Sequence, residues 1–250
     1  MNNTIKNFYS VTDKTRTPGD ERELIKDILP WFEPGNSRYF LDIGCYDGLK
    51  TLEIAAHTGA NYVIGCDFLS DRLKVAKTRK VDVLMVDLNS EKALPFSDGL
   101  FNSIFIGDVI EHVFSPDFLL SEIYRLLCPG AYAILTTPNL SSWRNRIAIC
   151  LGWQPFSTEV STFYRVGNPF APYGKPSGHI RVFTPRALRE LIGYYGLQIE
   201  RLEGRMVKVK PTGFMRFTVI VDRLFLKLRS TFCDEIIVKV RKPITNWSID

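Results

Sequence analysis

The feature that most constrains this fold is an alternation of apolar runs with amphipathic stretches between Tyr39 and Asn139. "RYFLDI", "NYVIGCD", "VDVLMVD", "FNSIFIGDVI" and "AYAILTTPN" read as strands, each close to continuously apolar. Between them, "LKTLEIAAHTG" reads as a helix ended by Gly59 and "SDRLKVAKTRK" as a helix capped by Ser70. "SPDFLLSEIYRLLCPG" is a third, with Pro116 in its first turn. A strand solvated on one face alternates apolar with polar residues, whereas a strand covered on both faces does not. The pattern therefore predicts an α/β domain with a mostly parallel sheet and helices on both faces. Upstream, "PGDERELIKDILPWF" predicts a helix with Asp20 at its N-cap, preceded by a flexible polar segment over 1–19. The remainder, 20–250, is short enough to be a single domain.

From Leu140 to Gly178 the rhythm fails. This stretch is rich in aromatic residues, Pro and Gly, and a long irregular insertion in a compact domain usually forms a lid or a binding loop. Trp143, Arg144, Arg146, Trp153, Phe156, Phe163 and Tyr164 are its candidates for an acceptor pocket or for an apolar cover over the sheet edge. The rhythm resumes with "TPRALRELIGYYG", a helix capped by Thr184 with Pro185 at its first position, and the strand "LQIERLEG". Residues 213–232 predict a basic, apolar helix that either covers the sheet or lies on an anionic membrane surface. "EIIVKVRKP" predicts a final strand.

Composition removes several classes. With 45% hydrophobic and 24% charged residues the chain is an ordinary globular sequence. It holds no uncharged apolar run of about eighteen residues, and its first residues lack a signal peptide's apolar core. The five cysteines are scattered and form no Cys-x-x-Cys pair, which suits reduced thiols in a cytoplasmic protein and not a disulfide framework or a zinc site. No metal site is read from the sequence. A formal charge of +5, dispersed along the chain, argues against nucleic acid as a partner. Oligomeric state leaves no mark in the sequence.

The first strand runs into the loop Gly44-Cys45-Tyr46-Asp47-Gly48. A dinucleotide fingerprint needs Gly-x-Gly-x-x-Gly there, so that a helix N-terminus can approach a pyrophosphate. Tyr46 stands at the second glycine, and Asp47 would set negative charge beside a phosphate. A ligand without phosphate fits better. S-adenosylmethionine carries a sulfonium, an amino-acid tail and an adenosine, and a loop bearing carboxylates tolerates or favours it. The cofactor-binding candidates are Asp42, Gly44, Tyr46, Gly48, Asp67, Phe68, Asp87, Leu88 and Asp108. In this set Asp67 would accept the ribose hydroxyls and Asp87-Leu88 would meet the adenine. Each acid also has a plainer reading: a loop hydrogen bond for Asp42, a helix cap for Asp67, a turn for Asp87. Asp108, Glu111 and His112 end the fourth strand at the carboxyl edge, where ligands of open α/β sheets bind. His112 and His179 are the catalytic candidates, His112 as a general base and His179 facing the acceptor. Either histidine could instead serve packing or a backbone bond. His57, late in a helix, suits the helix dipole.

"LDIGCYDG", "GCD", the long run from "VDLNSEKALPF" to "AYAILTTPN", and "GHIRVFTPRALRELIGYYGLQIE" together resemble a class I S-adenosylmethionine-dependent methyltransferase. The resemblance covers roughly Glu23 to Glu203 and is nearest to the ubiquinone-biosynthesis and MetW-like group. It implies a Rossmann-like, seven-stranded, mostly parallel sheet whose last strand is antiparallel, S-adenosyl-L-methionine as cofactor, and methyl transfer to a small-molecule acceptor. A saccharide or a lipid-linked compound would suit the aromatic, basic insertion. Two other readings stay open: a non-catalytic accessory protein that keeps the cofactor site, and an RNA or protein methyltransferase. Tyr46 departs from the family, which usually carries glycine there.

Overall fold

The computed structural model describes residues 25–35, 37–170, 176–206 and 230–244. Its seven strands are β1 (Tyr39–Ile43), β2 (Tyr62–Asp67), β3 (Asp82–Met85), β4 (Phe101–Gly107), β5 (Leu127–Pro138), β6 (Gln198–Arg205) and β7 (Glu235–Arg241). They form one sheet in the order β3-β2-β1-β4-β5-β7-β6. β1 to β5 run parallel, and β7 inserts antiparallel between β5 and β6. The expected antiparallel last strand is therefore present. The chain winds outward from β1 to β3, then returns to place β4 on the other side of β1. That reversal opens a crevice at the carboxyl ends of β1 and β4.

The continuous apolar strands have a direct physical cause. Leu41, Ile43, Ile104, Ile106, Ala133 and Leu135 face a layer built by Leu119, Leu120, Ile123, Leu188 and Ile192. Those residues come from the helices Pro116–Leu126 and Pro185–Tyr194. The intervening positions Phe40, Phe105, Tyr132, Ile134 and Ile237 face the other way, onto Ile54, Ala55, Ile28, Trp31 and Phe32. Both faces are covered, so apolar side chains are favoured at both parities. Each fully buried Phe, Leu or Ile contributes about 1.5–3 kcal/mol by leaving water.

The described helices are α1 (Leu49–Thr58), α2 (Ser70–Thr78), α3 (Pro116–Leu126), α4 (Trp143–Cys150) and α5 (Pro185–Tyr194). Gly59 ends α1 in the left-handed region, and Thr184 caps α5 by accepting the amide of Ala187. Three expectations need correction. Ser70 does not cap α2: Leu69 holds that position, and its amide donates to the Asp67 carboxylate instead. α3 stops at Leu126, and "LCPG" is extended backbone that begins β5, because Leu127 pairs with Phe101 of β4. The insertion is not wholly irregular, since α4 lies inside it, capped by Ser142. The segment 1–19 and the start of the first helix lie outside the described residues. So does most of the 213–232 helix, whose end is a short 3-10 turn, Ser230–Phe232.

Candidate functional site

Gly44 leaves β1 with φ +84° and donates its amide to the Cys66 carbonyl. A Cβ on Gly44 would lie 2.3 Å from Val109 Cγ2, so no side chain fits between the loop and the tip of β4. Gly48 (φ +77°) enters α1, and a Cβ there would crowd Ala76 and Val81. Tyr46 also adopts positive φ, +53°, the region that glycine enters without steric cost. Two contacts hold it: its amide donates to Asp67 Oδ2 at 2.9 Å, and its ring lies 4.6 Å under the Arg72 guanidinium. Asp47 is turned aside. Its carboxylate accepts the Leu49 amide and pairs with Arg79 at 2.7 Å.

The strand tips carry the remaining cofactor candidates. Asp42 is buried under the loop and accepts Thr51 Oγ1 at 2.6 Å, while its Oδ1 has no hydrogen-bond partner among the described residues. Burial pushes its carboxyl up to about 7. Asp67 ends β2, with Oδ1 on the Leu69 amide and Oδ2 on the Tyr46 amide. Burial raises its pKa as well, against the pull of the amides of Leu69 and Phe68. Phe68 follows it, half-buried. Asp87 accepts the Asn89 amide and caps the 3-10 turn Leu88–Ser90. Asp108 takes φ +56° past β4, and Thr136 Oγ1 on β5 donates to its carboxylate. Asp87 thus has its plainer role as a turn residue, whereas Asp67 does not cap α2, whose N-cap is Leu69, and instead braces the loop through the Tyr46 and Leu69 amides. These bonds use one acceptor direction of an oxygen that offers two, so they do not compete with ligand hydroxyls.

Beyond Asp108 lies a cluster that sequence separation hides. The ring centroids of His112 and His179 stand 4.9 Å apart. His112 Nδ1 is 3.0 Å from the Gly178 carbonyl, and His179 Nδ1 is 2.8 Å from the Ser157 carbonyl. Beside them is Glu111, fully buried, which receives Thr137 Oγ1 on Oε2. Its Oε1 has no hydrogen-bond partner among the described residues. Burial first, then the Asp108 charge, holds Glu111 well above the usual carboxylate range. Burial and the neighbouring His179 push His112 down to about 4. The two segments are docked through the main chain, as the amides of Ile180 and Arg181 both donate to the Glu111 carbonyl.

Not every candidate converges on this edge. Arg144 pairs with Asp234, and Arg146 lies over the Phe232 ring, so both tie α4 to the segment before β7. Trp143 stacks with Arg144. Trp153 packs on Phe170 within the insertion. His57 sits in the last turn of α1, apart from the site. Sequence reasoning placed Glu111 at the sheet edge without giving it a role, and it missed Thr51, Thr136, Thr137 and Glu159. The Glu159 carboxylate gathers the amides of Ser177, Gly178 and His179 and so closes the insertion on itself. A lone Glu inside an irregular stretch carries no signal of such a role.

The sheet order and the crevice at β1 and β4 define an open, doubly wound α/β protein. A family model described as a methyltransferase domain matches residues 16–202, so the chain belongs to this methyltransferase family. Its mixed seven-stranded sheet is that of the class I S-adenosylmethionine-dependent methyltransferases. A demethylmenaquinone methyltransferase of Symbiobacterium thermophilum is 35% identical over 139 residues, 53% of this chain and 55% of the relative. A mitochondrial ubiquinone biosynthesis O-methyltransferase of Rattus norvegicus is 25% identical over 193 residues, 74% of this chain and 51% of the relative. The chain thus spans little more than half the length of these relatives. Among solved structures, a methyltransferase of Methanosarcina mazei matches with TM-score 0.60 and 19% identity, over 87% of this chain and 98% of the other. Phosphoethanolamine N-methyltransferase 2 of Haemonchus contortus, solved with S-adenosyl-L-methionine, matches with TM-score 0.58 and 18% identity. That alignment covers 88% of this chain and 52% of the other.

Proposed function

We propose that this chain is an S-adenosylmethionine-dependent methyltransferase acting on a small-molecule acceptor. The observation that carries the reading is the chemistry of the donor set at the crevice. Asp42, Asp67, Asp87 and Asp108 lie at or just past the tips of β1 to β4, while at the loop Arg79 is engaged by Asp47 and Arg72 lies over the Tyr46 ring. Such a set repels phosphate and suits a cationic ligand that offers hydroxyls. The bound cofactor would supply an electrophilic methyl group on its sulfonium.

The protein's own residues have three tasks in this reading. Asp67 accepts the ribose hydroxyls on the lone pairs its amide bonds leave. Val109 and Gly44 press the loop close to the tip of β4, which sets the depth of the site. Asp42, beneath Gly44, supplies the orphaned Oδ1 for the amino group, directly or through water. Positioning provides most of the rate in such a transfer. His112 and His179 are the candidates to meet the acceptor, and the insertion 140–178 is the candidate lid that excludes water.

The acceptor class is supported from two sides. The relatives reported above are named for demethylmenaquinone and for ubiquinone biosynthesis, which favours a quinone-related acceptor. In this chain the insertion exposes Val160 (69%), Phe163 (68%), Tyr164 (72%) and Phe170 (61%), which suits an acceptor with an apolar body or a lipid tail. A saccharide has no comparable support. No described helix is long and apolar enough to cross a membrane.

The test is titration calorimetry with S-adenosylmethionine and S-adenosylhomocysteine. The wild-type protein binds, and Asp67→Ala weakens binding by about tenfold or more, because a hydrogen bond to a charged group contributes about 1.5–3 kcal/mol. Unchanged affinity in Asp67→Ala removes that residue from the site. A folded wild type that binds neither ligand sinks the reading.

A further inference from the structure

We propose that Glu111, His112 and His179 form a site for one divalent transition-metal cation of the zinc or cobalt type, at the seam between the β4 tip and the end of the insertion. One ligand atom from each residue lies within 4.8 Å of the other two. In a tetrahedral site with metal–ligand bonds of about 2.0–2.1 Å, the ligand atoms stand about 3.4 Å apart, so the longest separation has to close by roughly 1–1.5 Å. Side-chain rotation covers that distance.

Three features point to a cation and not to a fortuitous cluster. The first is the Glu111 oxygen. Its side chain is fully buried, yet Oε1 has no hydrogen-bond partner among the described residues. Native proteins seldom leave a desolvated carboxylate oxygen unsatisfied, and a metal ion satisfies it. The second is the orientation of both imidazoles. Each has Nδ1 against a main-chain carbonyl, Gly178 for His112 and Ser157 for His179. A proton on Nδ1 then donates to the carbonyl, and Nε2 carries the lone pair. This is the arrangement in which metal-binding histidines are usually held. The third is the outer shell, where Thr137 Oγ1 donates to the other Glu111 oxygen at 3.0 Å.

Two imidazoles and one carboxylate select zinc-like ions over magnesium or calcium, which prefer oxygen throughout. Three protein ligands also leave one position open, as in catalytic zinc sites. The site itself is independent of the methyl-transfer reading. Only a role for the open position, holding an oxygen of the acceptor, rests on it. No ligand motif announces such a site, because His112 and His179 lie far apart in the chain.

Tag-free protein, stripped with a chelator and dialysed, is titrated with Co2+ and read by visible absorption. One equivalent binds and develops the intense ligand-field bands of a four-coordinate ion. Glu111→Gln and His179→Ala each weaken binding by about tenfold or more. His57→Ala and Cys150→Ser, away from the seam, leave it unchanged. Circular dichroism and thermal melting confirm that each variant is folded, and the near-isosteric Glu111→Gln keeps the test valid should His179→Ala loosen the insertion. Asp67→Ala binds Co2+ like the wild type even where it has lost the cofactor, which separates failure of this site from failure of the methyl-transfer reading. Absence of Co2+ binding by folded wild type, or wild-type affinity in Glu111→Gln and His179→Ala, overturns the proposal.

Discussion

Tyr46 shows how one side chain can occupy a backbone position made for glycine. Left-handed backbone costs a residue with a Cβ roughly 1–2 kcal/mol. Here the amide bond to Asp67 and the ring under Arg72 offset part of that cost. Glycine at this position relieves the strain and keeps the amide bond, but it loses the ring contact and gains unfolded-state freedom, each worth about 0.5–1 kcal/mol. Tyr46→Gly should therefore shift stability by no more than about 1 kcal/mol in denaturant melts. In calorimetry it should hold S-adenosylmethionine within about tenfold of the wild type. Complete loss of binding would make the Tyr46 ring itself a ligand.

At the scale of elements, the insertion divides into an anchored and an open part. α4 is fastened by the Arg144–Asp234 pair and by Asn145, whose side chain donates to the Asn139 carbonyl and accepts the Phe156 amide. The end of the insertion is fastened by Glu159 and by the main-chain bonds to Glu111. Between these anchors, residues 160–170 expose most of their apolar side chains. Low burial permits local opening at little cost. Amides in 160–170 should thus exchange rapidly in the free protein and slow by about tenfold or more when cofactor and an acceptor are present, while α4 stays protected throughout. Hydrogen exchange read by mass spectrometry decides the matter. Protection of 160–170 equal to the central strands before ligand is added would make this stretch a fixed wall.

At the scale of the whole molecule, Asp42 couples the site to global stability. Its folded carboxyl, raised to about 7 from a usual 3.8, keeps a proton that the unfolded chain gives up. A group of this kind contributes its full stability below the unfolded value and loses it as pH rises through the folded one. Stability of the cofactor-free protein should thus carry a falling component between about pH 4 and pH 7. Asp42→Asn keeps the shape and the Thr51 bond without the titration. Its stability relative to the wild type should rise across that window by between about 1 and 4 kcal/mol. Denaturant titrations at about pH 4.5 and about pH 7.5 compare the two, and parallel behaviour would return Asp42 to an ordinary carboxylate.

What the sequence determined by itself was whatever local periodicity and burial write into it. Phe40 and Leu41 are both apolar because the sheet is covered on both faces, so the order of strands and helices was legible. The placing of Asp67, Asp87 and Asp108 at one edge followed from that order, since parallel strands all end on the same side. The left-handed turn at Tyr46 came only from the tertiary structure, because φ depends on what holds the backbone. α4 was missed, since its seat comes from partners such as Asp234, about ninety residues further on. The cluster of Glu111, His112 and His179 belongs wholly to the tertiary structure. Its members meet because the end of the insertion pairs its amides with the Glu111 carbonyl, and no spacing along the chain encodes a contact between segments so far apart.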